Sequence, residues 1–189
     1  MESKELIDKL LEALPSQTIE LKRKKFHSIN MGWDQYFWIV TQGLIMTVRS
    51  AEDGRFKGTG LYGPNSLLGF SGFYNVTKDV TCFAISQTTL KAIPIRLIDE
   101  LLRQDNELCY QLMIYVSKRF VNVMDELEAA TLLTLEDQIT SFENSLEEID
   151  LPSDLAVTET CIAMAIGAHP VSISRARKRL KQTPHLDEA

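Results

Sequence analysis

Arg175, Arg177, Lys178, Arg179 and Lys181 place five cations within seven residues of a stretch patterned as a helix. Cations of this kind, crowded onto one helix, suit phosphate binding and the reading of base edges. The preceding stretch has the opposite character: Thr134 to Cys161 holds eight acidic residues and no Lys or Arg. Over the whole chain 26 acidic side chains outnumber 20 basic ones, for a net charge of −6. Segregation of charge in an acidic chain points to a specific polyanionic partner, not to a uniformly basic surface.

The residues around the cluster have the spacing of two short helices that cross at a steep angle. Thr158 is placed to cap the first, with Cys161 rather than Glu at its third position, so no capping box is expected. Ile162 and Ile166 share its inner face, and Ala163 is small where a second helix must approach. Gly167 permits the left-handed backbone that ends a helix. Pro170 suits the first position of the next one. Ile173, Ala176 and Leu180 give that second helix, about residues 170–182, an apolar inner side. His169, Val171, Ser172, Arg175, Lys178, Arg179 and Lys181 are then the candidate DNA contacts, with the N-terminal ones at base edges in a major groove. The charges alone fit an amphipathic surface helix with solvated Lys and Arg equally well. The Ala–Gly–Ile spacing is what favours DNA.

Three regimes of periodicity lie upstream. Leu6, Ile7, Leu10, Leu11 and Leu14 have helical spacing over residues 4–14, and Pro15 ends that helix. From about residue 18 to 95 the pattern is of short strands. "YFWIVTQGLIMTVRS" alternates and is rich in β-branched and aromatic residues, and "SAEDGR" reads as a hairpin turn at Gly54. Gly32, Gly43, Gly54, Gly63, Gly69 and Gly72 punctuate the region, as in a sandwich or barrel-like roll. From Ile95 the pattern is helical, with a break near Asp105. Met113, Val116, Phe120, Val123, Leu127 and Ala130 step alternately by 3 and 4, an a/d seam expected to meet a second copy of the chain. Leu112, Tyr115 and Met124 lie on the opposite face, free to pack on the roll. Thr134 is a plausible cap for one more helix, with Glu136 and Asp137 in its first turn. The expected organisation is α+β. Residues 1–105 form a double-stranded, jelly-roll-like β-roll, residues 106–133 a dimerisation helix, and residues 134–189 a helix-turn-helix domain.

Composition removes several classes. Hydrophobic content of 44% and charged content of 24% over 189 residues are ordinary for a globular protein. No run of 18 apolar residues exists, so no membrane span is expected, and the acidic N-terminus does not read as a signal peptide. Cys82, Cys109 and Cys161 are far apart and odd in number, which fits a reducing cytoplasm and three buried, unpaired thiols. No CxxC or His/Cys cluster offers a metal site, and no cofactor is expected. A metal oxygenase on a β-roll needs two or more His converging with a carboxylate. The chain has only His27, His169 and His185, one of them in the roll, so neither catalysis nor catalytic residues are expected.

The order of these parts resembles the Crp/Fnr superfamily of bacterial transcription regulators. The resemblance runs through "WIVTQGLIMTV" and "YGPNSLLGFSGFY" in the roll, the long helix, and "GAHPVSISRARKRL" in the helix-turn-helix. It implies a cytoplasmic homodimer on a palindromic duplex, an effector that shifts the dimer helix, and RNA polymerase as a partner. Arg175 matches the family's base-reading arginine, and Ser172 and Lys178 match phosphate-side positions. Pro170 and Val171 stand where Arg and Glu are frequent, so a different target sequence is implied. The phosphate cassette departs further. Gly69-Phe70-Ser71 replaces Gly-Glu-Leu, and Lys78-Asp79-Val80 replaces Arg-Ser/Thr-Ala. Val123 and Met124 occupy the positions of the polar pair that meets adenine. Cyclic AMP is therefore not the expected effector. A pocket lined by Gly69, Phe70, Ser71, Phe73, Tyr74, Lys78, Val123 and Met124 would favour an apolar or aromatic small molecule, unless those side chains fill it themselves. "TPHLDEA" leaves the family's β-hairpin wing truncated or absent, and Glu159 would face phosphate unfavourably.

The alternative is a small-molecule-binding or protein-interaction module on the same fold, with a vestigial helix-turn-helix. The acidic total charge and the short end after the last helix favour it.

Overall fold

The computed structural model describes residues 2–28, 35–50, 56–70, 73, 81–147, 149, 151, 155 and 157–182. Helix α1 (Glu2–Ala13) precedes eight strands: β1 (Gln17–Leu21), β2 (Lys25–Ser28), β3 (Tyr36–Gln42), β4 (Ile45–Ser50), β5 (Phe56–Tyr62), β6 (Ser66–Leu68), β7 (Thr81–Ala84) and β8 (Thr88–Pro94). Helices α2 (Ile95–Leu102), α3 (Asn106–Leu132), α4 (Leu135–Glu147), α5 (Glu159–Ile166) and α6 (Pro170–Gln182) follow. The strands form two four-stranded antiparallel sheets, ordered β1-β8-β3-β6 and β2-β7-β4-β5. The architecture is the expected α+β roll followed by helices. The hairpin pairing of β4 with β5 is present, and its turn with Gly54 lies outside the described residues.

The expected alternation of "YFWIVTQGLIMTVRS" gives way to burial on both faces. Phe37, Trp38, Ile39 and Val40 are all fully buried. Phe37 and Ile39 pack with Leu6, Ile7, Leu10, Ile98 and Leu108 of the helical layer. Trp38 and Val40 face the second sheet, among Ile45, Cys82, Ala84 and Leu90. A strand covered on both sides needs a continuous apolar run. The stretch also spans two strands in different sheets, β3 and β4.

Asp105 supplies the predicted break. Its Oδ1 accepts the Leu108 N–H at 2.9 Å and caps α3. At about 1.5 Å per residue this 27-residue helix is roughly 40 Å long. Only its first half is anchored: Leu108 and Leu112 are buried against the roll, and the Tyr115 hydroxyl accepts the Leu67 N–H at 2.8 Å. Beyond Arg119, whose guanidinium lies over the Tyr62 ring, α3 leaves the roll, so Met124 is exposed and does not share the packing of Leu112 and Tyr115. Cys109, expected to be buried, is exposed on α3, whereas Cys82 and Cys161 are buried. Burial pushes the Cys82 thiol up to about 12.

Thr134 caps α4 as expected. Its hydroxyl accepts the Asp137 N–H at 3.3 Å and donates to the Asp137 carboxylate at 2.6 Å. α4, α5 and α6 enclose one apolar cluster of Ile139, Ile162, Ala163, Ile173 and Ala176. A separate cluster joins α5 to the outer face of the second sheet, where Cys161 and Met164 pack with Leu44, Met46, Val48 and Phe83. No helix among the described residues is long and apolar enough to cross a membrane.

Candidate nucleic-acid interface

The α5–α6 corner is built by local chemistry at each position the sequence marked. Thr158 Oγ1 accepts the Cys161 N–H at 3.3 Å, and without Glu at that position there is no reciprocal cap. Gly167 adopts φ 82°, ψ 26°, and its N–H reaches the Ala163 carbonyl at 2.9 Å. A side chain would be strained in that conformation. His169 closes the turn. Its ring Nδ1 accepts the Val171 N–H at 3.2 Å, and its carbonyl accepts from Ser172 at 2.9 Å. The imidazole expected to contact DNA is thus engaged through Nδ1 as the cap of α6. Pro170 opens α6 without a donor to waste.

Ile173 and Ala176 turn inward and are fully buried against α4 and α5. Leu180, expected on the same inner side, is exposed, because α6 by then has passed the α4–α5 cluster. Val171, Ser172, Arg175, Lys178 and Lys181 are all exposed.

The cations divide into two sets. Arg177 Nη2 lies 2.7 Å from Glu143 Oε1, and Arg179 Nε donates to Glu136 Oε1 at 2.7 Å. The hydrogen bond from Arg179 holds the Glu136 carboxyl below its ordinary range. Part of the charge segregation is therefore satisfied within the domain, acidic α4 against basic α6. Arg179, grouped by the sequence with the DNA contacts, belongs to this internal set. Arg175, Lys178 and Lys181 form no ion pair among the described residues.

The a/d seam of α3 is open to solvent. Met113, Val116, Phe120, Val123 and Leu127 are exposed, Phe120 to 65%, and Ala130 is exposed with them. Leu132 and Leu133 extend the apolar surface to the end of the helix. A contiguous run of this kind marks an interaction surface.

Among the described residues, those expected to line an effector pocket do not converge. Phe70 packs edge-on against Phe37 at 4.9 Å between ring centroids, and Phe73 lies against the same ring at 5.9 Å. Phe70 also stacks on Tyr115 at 6.0 Å. Both rings thus join the helix–sheet core. Gly69 has φ 101°, and a Cβ there would stand 2.5 Å from the Tyr36 carbonyl oxygen, so its role is a close approach to β3. Val123 and Met124 are exposed on the free half of α3. Ser71, Tyr74 and Lys78 lie outside the described residues, as do residues 183–189, where a wing was expected to be truncated or absent. Where α3 passes the roll, Arg119 sits instead, its guanidinium 5.2 Å from the Tyr62 ring centroid and 3.2 Å from Glu126 Oε1. Nothing in the sequence marked Arg119, because its neighbours come from β5 and from two turns further along α3.

No family model matches the chain, and no curated protein matches it either. Solved structures do. FixK2 from Bradyrhizobium japonicum superposes with a TM-score of 0.76 at 14% identity, covering 89% of this chain and 86% of that one. The c-di-GMP-responsive global regulator CLP of Xanthomonas campestris gives 0.70 at 16% identity, over 95% and 92%. TTHA1359, a Crp/Fnr-family transcriptional regulator from Thermus thermophilus, gives 0.69 at 16% identity, over 92% and 90%. The fold is that of the Crp/Fnr regulators.

Proposed function

We propose that this chain, built on the Crp/Fnr fold, is a homodimeric transcription regulator that reads an inverted-repeat DNA site through α6. The observation that carries the reading is the outer face of α6, where Arg175, Lys178 and Lys181 are exposed beside Val171 and Ser172 and form no ion pair among the described residues. Arg177 and Arg179, tied to α4, brace the helix for that face. The planar fork of Arg175 suits the O6 and N7 acceptors of guanine, while Lys178 and Lys181 suit phosphates. The open seam of α3 supports a two-fold pair, which would set the two α6 helices on half-sites about 34 Å apart. RNA polymerase is a further partner of this reading, the cytoplasm its compartment, and no catalytic step belongs to it.

The effector of this reading is not cyclic AMP. Phe70 stands where a ribose carboxylate is needed, and Trp38 fills space between the sheets. A small apolar or aromatic effector would bind beside the α3 seam, at Met124, which is 47% exposed and lies outside the 3-4 stepping.

Selection of bound DNA from random duplexes tests the reading. An enriched inverted repeat with one-turn spacing is the expected outcome. Failure to retain any duplex at low salt, with apolar and aromatic effectors supplied, would leave the α6 cations as a solvated face.

A further inference from the structure

Arg177 and Arg179 are both tied to carboxylates of α4, but they stand on different sides of α6. At roughly 100° of rotation per residue, a side chain four positions on is turned by only about 40°. Arg177 is four positions beyond buried Ile173, on the flank nearest α4 and α5. Arg179 is four positions beyond exposed Arg175, on the rim of the outer face. Exposure follows the same order. With its ion pair formed, the Arg177 side chain is 33% exposed and the Arg179 side chain 59%.

The hold on Arg179 is a weak one for a guanidinium. Its Nε donates to Glu136 Oε1 at 2.7 Å, and its Nη2 reaches the same oxygen. A planar fork is matched best by two oxygens, one for each N–H, as a carboxylate or phosphate met squarely provides. Here both nitrogens converge on one atom. Exposed pairs of this kind contribute little in water.

Glu136 does not depend on Arg179 to stay charged. It lies in the first turn of α4, where the helix N-terminus favours an anion, and its side chain is 28% exposed. Arg175 and Arg179, four apart on one helix, repel each other. Either the Glu136 carboxylate or a phosphate offsets that repulsion.

We infer that Glu136 is an internal stand-in for a DNA phosphate: it holds Arg179 in the free protein and yields it to the sugar–phosphate backbone beside the base that Arg175 reads. The inference rests on the reading of α6 as a DNA-reading helix. Glu136 is then a positioning residue that sets the affinity of α6. Every duplex must displace it, so it weakens binding to all sequences alike, as a phosphate contact carries no sequence information.

The test is a double-mutant cycle read by fluorescence anisotropy over a salt series, on the selected inverted repeat and on a scrambled duplex. The proteins are the wild type, Glu136→Gln, Arg179→Gln and the double variant. Glu143→Gln removes the same charge from α4 and measures the gain due to charge alone. Glu136→Gln should tighten both duplexes about three- to tenfold, with two such pairs displaced per dimer. Arg179→Gln should lower the salt slope by about one unit for each half-site. With Arg179 already replaced, Glu136→Gln should add no more than Glu143→Gln does. If Glu136→Gln does not fold, Glu136→Asp takes its place, since it keeps the charge and shortens the reach, and the same tightening is expected.

An equal gain from Glu136→Gln with and without Arg179 would mean that the carboxylate simply repels DNA, and overturns the inference. An unchanged slope in Arg179→Gln, or unchanged or weaker binding by Glu136→Gln, would make the pair a fixed brace and overturns it likewise. In each of these outcomes the wild type still binds, and the reading of α6 stands. A wild type that binds neither duplex overturns both.

Discussion

Gly58 of β5 and Ala165 of α5 touch backbone to backbone: a Cβ on Gly58 would stand 3.0 Å from Ala165 Cα and 2.8 Å from Met46 Sδ. The Met46 thioether can rotate away, but the α5 backbone cannot without moving the helix. The contact seats α5 on the roll, with Cys161 and Met164 over Met46, Val48 and Phe83. Gly58→Ala should therefore lift α5 and cost about 1–3 kcal/mol, the usual range for overpacking a filled site. Urea titration should show a lower midpoint with an unchanged slope. A midpoint equal to the wild type would mean that α5 rests on the roll without constraint.

The open seam of α3 makes a second prediction. Phe120, 65% exposed, sits in the middle of the 3-4 stepping. Phe120→Glu should break the dimer, because two carboxylates would be brought together and desolvated near the two-fold axis. Light scattering should give the mass of one chain for the variant and of two for the wild type. An unchanged dimer mass would take this helix out of the interface.

The parts that were legible in the sequence are the local ones. Asp105, Thr134 and Thr158 each cap the helix that begins just after them, because a cap is decided within four residues. Gly167 and Pro170 fix the corner for the same reason. The readings that failed are tertiary. Nothing near Arg179 in sequence announces Glu136, 43 positions away. Phe70 has a pocket-like neighbourhood in sequence, yet its ring is claimed by Phe37 of another strand and Tyr115 of α3.

Cyclic AMP should not bind. Its ribose and phosphate each need a charged partner in a largely enclosed site, and removing one partner of such a contact costs on the order of 2–5 kcal/mol. Phe70 offers no carboxylate, and its ring is already packed on Phe37. Calorimetry should record no heat of binding at micromolar nucleotide. A micromolar dissociation constant would mean that residues outside this packing build the site.

The last prediction separates the three roles among the α6 cations. Arg175 and Lys178 are exposed and form no ion pair among the described residues, and Arg177 is bound to Glu143 at 2.7 Å. An arginine that forks onto a base loses about 1–3 kcal/mol on the preferred site when truncated and relaxes the choice of base there. Arg175→Ala should behave in that way. A lysine on phosphate contributes the same to every sequence, so Lys178→Ala should weaken all duplexes equally and lower the salt slope by about one unit. Arg177→Ala touches neither. It frees Glu143 on α4, so it should lower the urea midpoint modestly, as a partly exposed ion pair does, while the ratio of specific to random binding stays fixed. Binding isotherms on the selected site and on a scrambled duplex, at two salt concentrations, distinguish all three. If Arg175→Ala weakens both duplexes alike, that side chain holds a phosphate. The selectivity must then come from Val171, Ser172 or the shape of the groove.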